Sequence, residues 1–278
     1  MKKSEPNKSI EEITEKLEAG VKSVFESEKY REYLAFMAKF HDYSANNSLL
    51  IWMQNPHASL VAGYSAWQSK FNRHVKCGEK GIKILAPMPK KFVKKSKDEN
   101  GNETETEISY TAFRAVTVFD VSQTEGDDLP KLSCDLTSDV ERFQEMVEKL
   151  KAVAPVHVDF EEIDGSAKGY FSNSEGRIVI RPGMSELQTV KTMVHEIAHS
   201  ILHNSENGEQ KDVSRHTAEV QAESVAFTVC SALGLDTSDY SFGYVAGWSE
   251  GQEAKELAAS MEIIRKTAKT ILDALKAA

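Results

Sequence analysis

The chain has 278 residues, 40% of them hydrophobic and 28% charged, with no run of 18 apolar residues; this balance suits one large or two modest globular domains and excludes a membrane span. Cys77, Cys134 and Cys230 are scattered and form no C-x-x-C pair, and Met1-Lys2-Lys3-Ser4-Glu5-Pro6 lacks an apolar signal region, so reduced thiols, a cytoplasmic location and no membrane partner are expected. The net charge of -9 is uneven, with 19 basic against 19 acidic residues over 1–130 and 15 against 24 over 131–278, while 70–97 holds ten basic residues and one acidic, Glu79; such a local field attracts polyanions even on an acidic protein.

In chain order, residues 8–40 are predicted as one long amphipathic helix, with Ile10, Ile13, Leu17, Val21, Val24 and Phe25 on one face. Asn46 to Gln54 and Ser65 to Asn72 are predicted as shorter helices, separated by breaks at Asn55-Pro56 and Gly63. Lys83 to Ala86 and Phe92 to Lys95 alternate like strands, Asn100-Gly101 marks a hairpin tip, and Ile108 to Val121 returns as a strand. Ser122 to Ser133, with Gly126-Asp127-Asp128 and Pro130, has linker composition. Beyond it the pattern gives a helix over 138–153, a strand over 157–160 and a strand pair 169–172 with 177–181. Three helices complete the chain, over 187–203, 215–227 and 254–278.

The helix at 187–203 carries His195-Glu196-Ile197-Ala198-His199. Histidines four residues apart lie one turn from each other on one helix face, so both imidazoles can close on one zinc ion, Zn2+, while Glu196 points into the same space as a general base. Val190, Met193, Val194, Ile197, Ala198, Ile201 and Leu202 give that helix a wide apolar face. His203 continues the row, but eight residues from His195 is roughly 12 Å along the axis, too far to share one metal, and it is read as a capping or packing residue. His216, at the start of the next helix, is a reserve ligand.

Glu219 and Glu223 sit one turn apart on that next helix. The pair resembles the gluzincin arrangement, and the resemblance implies that Glu219 completes the metal site while Glu223 orients a ligating histidine through its far nitrogen. Strands followed by an H-E-x-x-H helix also match the zincin plan, in which an edge strand beside the metal holds substrate backbone. Arg177-Ile178-Val179-Ile180 is the candidate for that strand.

In the first half, Tyr43-Ser44-Ala45-Asn46-Asn47-Ser48-Leu49-Leu50-Ile51, Gly63-Tyr64-Ser65-Ala66-Trp67 and Val75-Lys76-Cys77-Gly78-Glu79-Lys80-Gly81-Ile82-Lys83-Ile84 resemble the N-terminal domain of ArdC-type antirestriction proteins. That family, carried largely by mobile elements, joins a single-stranded-DNA-binding domain to a zincin-like metallopeptidase domain similar to the ImmA/IrrE peptidases. The residue chemistry agrees: basic grooves track phosphate and aromatic platforms stack bases, and Trp52, Tyr64 and Trp67 mingle with Lys70, Arg73, Lys76, Lys80 and Lys83. Gly78 and Gly81 would let backbone amides approach phosphate, and Asn47 joins the DNA-binding set through the motif that contains it.

The expected fold is therefore α+β: a mixed helix and antiparallel-sheet DNA-binding domain over 1–128, then a zincin-like metallopeptidase domain over 129–278. The expected function is that of an antirestriction-type protein of a mobile element that binds single-stranded DNA, with double strands left open as a partner, and cleaves a protein or peptide substrate. Two alternatives stay open: a non-enzymatic DNA-shielding protein with structural zinc, and a regulatory peptidase that cleaves a repressor-like protein.

Overall fold

The computed structural model describes residues 8–25, 27–97, 103–129, 140–206, 208, 212–237, 242 and 245–277. The predicted helix over 8–40 is two helices, α1 (Lys8–Val24) and α2 (Ser27–Lys39). Helical spacing explains the break. At 100° per residue the buried set Ile13, Leu17, Val21 and Val24 and the buried set Tyr30, Tyr33, Leu34 and Met37 are centred about 150° apart, so one straight helix could not turn both inward.

Next come α3 (Ala45–Gln54), β1 (Val61–Gly63), α4 (Tyr64–Phe71), β2 (Arg73–Val75), β3 (Ile82–Lys97) and β4 (Glu103–Asp120). The two short strands expected over 83–95 are one continuous strand, β3, paired antiparallel with β4 from Ile82↔Val118 to Lys97↔Glu103. The tip at Asn100-Gly101 lies outside the described residues. Pro87 and Pro89 sit inside β3 without cost to the ladder because β3 is an edge, the sheet order being β1-β4-β3. The open edge is covered by two side-chain amides from α3. Asn47 pairs with both backbone groups of Leu85, each at 2.9 Å, and Gln54 does the same at Lys83, each at 2.9 Å. Residues 83, 85, 87 and 89 share this outward backbone parity, so neither proline withdraws an N–H from β4.

The segment expected to be a linker is ordered at its start: a tight turn at Val121–Gln123 leads into β5 (Thr124–Gly126), which pairs with β2. Buried Asp120 anchors it, accepting from the backbone N–H groups of Ser59, Leu60 and Ser122. The end of that segment, 130–133, and the residues that follow it to 139 lie outside the described residues. After it come α5 (Val140–Val153), β6 (His157–Phe160), β7 (Gly169–Ser172), β8 (Arg177–Ile180), α6 (Glu186–Leu202), α7 (Arg215–Ala232), α8 (Val245–Ser249) and α9 (Ala254–Ala277). The second three-stranded sheet has the order β6-β8-β7, with β6 parallel and β7 antiparallel to β8.

Helices from the N-terminal half pack directly on α7 and α9. Tyr30 on α2 hydrogen-bonds Ser224 on α7 at 2.8 Å, Glu262 on α9 accepts from the Ala45 N–H that opens α3, and Arg265 donates to the His41 carbonyl at 2.6 Å. Apolar residues of both halves form one buried cluster. No helix among the described residues is long and apolar enough to cross a membrane.

Candidate metal centre and nucleic-acid face

Helix α6 starts where Ser185 accepts a hydrogen bond from the Gln188 N–H and Glu186 sits in the first turn, both favourable at a positive helix end. Val190, Met193, Val194, Ile197 and Ala198 are buried, which pins the rotation of α6 and turns His195 and His199 toward α7. Helix α7 starts in the same way on Ser214 and buries Val220, Ala222, Val225 and Ala226. That burial turns Glu219 and Glu223 back toward the two histidines.

The Nε2 atoms of His195 and His199 lie 3.1 Å apart, and Glu219 Oε2 lies 3.5 Å from the first and 3.7 Å from the second. A tetrahedral ion with bonds of about 2.0–2.1 Å needs donor–donor edges of about 3.3 Å, so the three atoms fit as one face of such a site. Among the described residues, these three form the cluster able to hold a divalent metal ion; His216 stands outside it. Glu223 Oε2 meets His195 Nδ1 at 3.1 Å, on the ring side away from the other donors. Burial pulls the His195 pKa down, but hydrogen bonds to Glu219 and Glu223 and the nearby Glu196 charge outweigh it and hold the pKa up at about 10. The two histidines in turn hold the Glu219 carboxyl well below the usual range.

Glu196 is buried, and burial raises its carboxyl pKa against the pull of both histidines and a hydrogen bond from the Phe171 backbone. That last contact shows which strand faces the site. The candidate strand at 177–180 is β8, the central strand of its sheet, with β6 and β7 on its two sides, so its backbone groups are already engaged. The edge beside α6 is β7. Lys168 pairs with Arg181 across the ladder, and antiparallel alternation then turns the Gly169 and Phe171 backbone groups outward. A cleft of about 460 Å³ opens beside Glu196, bounded by Lys168 and Gly169 at β7 and by Lys191 and Thr192 on α6.

The nucleic-acid candidates are placed less uniformly. Trp67 is 0% exposed, its Nε1 donates to the Phe119 carbonyl at 2.9 Å, and its ring lies 5.0 Å from Phe71; it is a core residue and cannot stack a base. Trp52 is half-buried, edge-on to Tyr33. Asn47 is occupied by Leu85, as described. Arg73 is tied to Thr124 and Gly126, and Lys76 to the Ser122 carbonyl at 2.9 Å, so both brace the β2–β5 pair. A Cβ on Gly81 would come within 2.1 Å of Thr117 Cγ2, so that glycine makes room for β4 packing and not for phosphate. Gly78, at φ +85° and exposed, fits a turn only glycine adopts readily. Tyr64, 60% exposed, and Lys70, Lys80 and Lys83 keep their side chains at the surface.

Sequence pattern did not single out two exposed aromatics, Tyr110 and Phe113. For Phe113 the signal lies in the alternation of β4: the face carrying Val116 and Val118 turns inward, and Phe113, Thr117 and Phe119 share the other face. Register puts Lys83 and Lys91 opposite Thr117 and Ser109 on that face, and Tyr64 leans edge-on against Phe119 at 6.2 Å. One side of the β3–β4 arm therefore combines aromatics with lysines. A prediction separates this face from the core: Trp67→Ala should lower stability by about 3–5 kcal/mol, as large aromatic truncations in cores do, measured by urea unfolding. At a temperature where the variant stays folded, oligonucleotide affinity should not change.

The N-terminal domain of anti-restriction factor ArdC matches residues 3–119, and the IrrE N-terminal-like domain of the M78 peptidases matches residues 152–269. An uncharacterized protein of Bacillus anthracis is 28% identical over 98% of this chain, which spans 52% of that relative's length. The metal-free crystal structure of the antirestriction ArdC protein from plasmid R388 superposes with a TM-score of 0.53 at 19% identity, over 84% of this chain and 86% of that one. This last likeness shows a shared fold. The chain thus carries a domain similar to the ArdC N-terminal domain followed by an IrrE-like domain, an ArdC-like arrangement over both halves.

Proposed function

We propose that the protein is an antirestriction-type protein of a mobile element whose second half, about 129–278, hydrolyses peptide bonds with zinc and whose first half, about 1–128, binds single-stranded DNA in the cytoplasm. The observation that carries the peptidase reading is the convergence of His195 Nε2, His199 Nε2 and Glu219 Oε2 within bonding reach of one ion, with Glu196 buried beside them. A purely structural site has no use for that carboxylate.

In this reading His195, His199 and Glu219 hold the ion and Glu223 fixes the His195 ring by accepting its Nδ1–H. When bound, zinc acts as a Lewis acid toward a carbonyl oxygen and makes water acidic enough to lose a proton near neutral pH. Glu196, raised in pKa by burial, is suited to take the proton of the attacking water and return it to the leaving amine. The outward backbone groups of Gly169 and the Phe171 carbonyl can pair with an extended substrate strand, while the Phe171 N–H stays on Glu196 and brings that strand's peptide bond beside the carboxylate. The DNA reading rests on the lysine and aromatic face of the β3–β4 arm.

Metal removal tests the proposal. Purified protein is expected to carry about one zinc per chain, to lose peptide hydrolysis when treated with a chelator, and to regain it with added zinc. Free zinc at about 100 times its dissociation constant should stabilise the metal-free protein by about 2.7 kcal/mol, seen as a higher melting temperature. Stabilisation without any hydrolysis of unfolded protein substrates would leave the structural-zinc alternative standing in its place.

A further inference from the structure

His199 has an outer partner of a different kind from His195. Its Nδ1 lies 3.0 Å from His203 Nδ1, His203 Nε2 lies 3.0 Å from Gln221 Oε1, and Gln221 Nε2 reaches Ser260 Oγ on α9 at 3.4 Å. Gln221 and Ser260 are buried, so the amide is held by these protein partners.

We infer that His203 and Gln221 form a positioning relay that fixes the tautomer of His199 and so presents its Nε2 lone pair to the metal; the inference rests on the proposed role of His199 as a ligand. Each link is set by the one before it. Gln221 Oε1 carries no hydrogen and can only accept, so the His203 proton sits on Nε2. A neutral imidazole has one N–H, which leaves His203 Nδ1 as an acceptor. His199 Nδ1 must then donate to it, and His199 Nε2, the atom 3.1 Å from His195 Nε2, is left bare.

The reverse orientation of the same amide runs the logic backwards. Its NH2 would donate to His203 Nε2, His203 Nδ1–H would donate to His199 Nδ1, and the His199 proton would sit on Nε2, where a metal has to bind. The structure holds the productive orientation, with Oε1 toward His203 Nε2 and Nε2 toward the Ser260 hydroxyl; a hydroxyl can serve either orientation, so the tautomers themselves are the decisive readout. The two histidines are thus oriented by different chemistry, His195 by the carboxylate of Glu223 and His199 by a neutral ring and amide. A further carboxylate beside Glu196, Glu219 and Glu223 is avoided.

The test uses the full chain and zinc itself, with affinity read by competition against a chromophoric chelator. Gln221→Leu and His203→Phe should weaken zinc binding roughly 10 to 100-fold, as the removal of outer partners does. Gln221→Glu keeps an acceptor for His203 Nε2–H, and His203→Asn puts an amide oxygen near the place of Nδ1; both should stay within about threefold of the parent, well above the two deletions. Side-chain 15N NMR of the metal-free protein should show His203 protonated on Nε2 and His199 on Nδ1. Unchanged affinity in Gln221→Leu, or equal weakening in Gln221→Leu and Gln221→Glu with the fold intact, would overturn the relay. If the parent chain binds no zinc at all, the ligand reading fails first, and the NMR tautomers still decide the relay: a His199 proton on Nε2 refutes it.

Discussion

A Glu196→Gln protein is expected to bind zinc as tightly as its parent and to hydrolyse peptides about 10² to 10⁴-fold more slowly, the usual contribution of a positioned general base. The separation follows from geometry. Glu196 is outside the His195, His199 and Glu219 cluster, so its amide replacement removes no donor from the ion. The amide is also close in size and keeps an oxygen that can accept the Phe171 backbone hydrogen bond. His195→Ala or His199→Ala should instead lose the metal and activity together, because two protein donors no longer make a tight site.

Within the same series, Glu219→Ala should abolish tight binding, and Glu223→Ala should weaken it roughly 10 to 100-fold through the freed His195 ring. Metal content and turnover are measured on each purified variant. Full zinc content in His199→Ala would sink the site, and a greater effect of Glu223→Ala than of Glu219→Ala would exchange the roles proposed for the two glutamates.

The other large effect is expected on DNA. Lys83→Glu with Lys91→Glu, on one face of the β3–β4 arm by register, should cut affinity for a single-stranded oligonucleotide sharply at low salt. The slope of log affinity against log salt should shrink by about 1.4, at about 0.7 for each phosphate of a single strand that a lysine no longer neutralises. Tyr64→Ala and Phe113→Ala should each cost about 1–3 kcal/mol if bases stack on that face. Both aromatics are more than half exposed, so neither change should lower the melting temperature much. The full chain is the right sample, because α1 to α3 share a buried cluster with α7 and α9 and a truncated first half would expose that surface. Unchanged binding in the lysine pair, with the fold intact, would move the partner of this face from nucleic acid to protein.

Residue spacing was informative for whatever lies within one or two helical turns. The spacing of His195 and His199 sets their adjacency, because i and i+4 always meet on a helix. The apolar periods of α6, α7 and α9 likewise set which face each helix buries, and Leu257, Met261, Ile264, Ile271 and Leu275 are all buried as their spacing implies. Local pattern failed where the answer depends on a distant neighbour. Trp67 has the composition of a stacking platform, yet the Phe119 carbonyl, 52 residues away, takes its N–H and the core takes its ring. Asn47 and Gln54 became a substitute strand edge only because β3 passes beside α3.

Tertiary structure alone decided which strand is the edge. Arg177-Ile178-Val179-Ile180 has three apolar residues in a row and Gly169-Tyr170-Phe171-Ser172 has two, and runs this short do not say which strand is flanked on both sides and which is open on one. It also decided the fate of His203. Read along its own helix it is simply too far from His195 to share an ion, but packing of α7 on α6 brings Gln221 to its Nε2 and makes it the outer partner of His199. Periodicity specifies which face of an element is buried. The partner that meets that face is specified by long-range packing, and hydrogen-bond chemistry at the site depends on the partner.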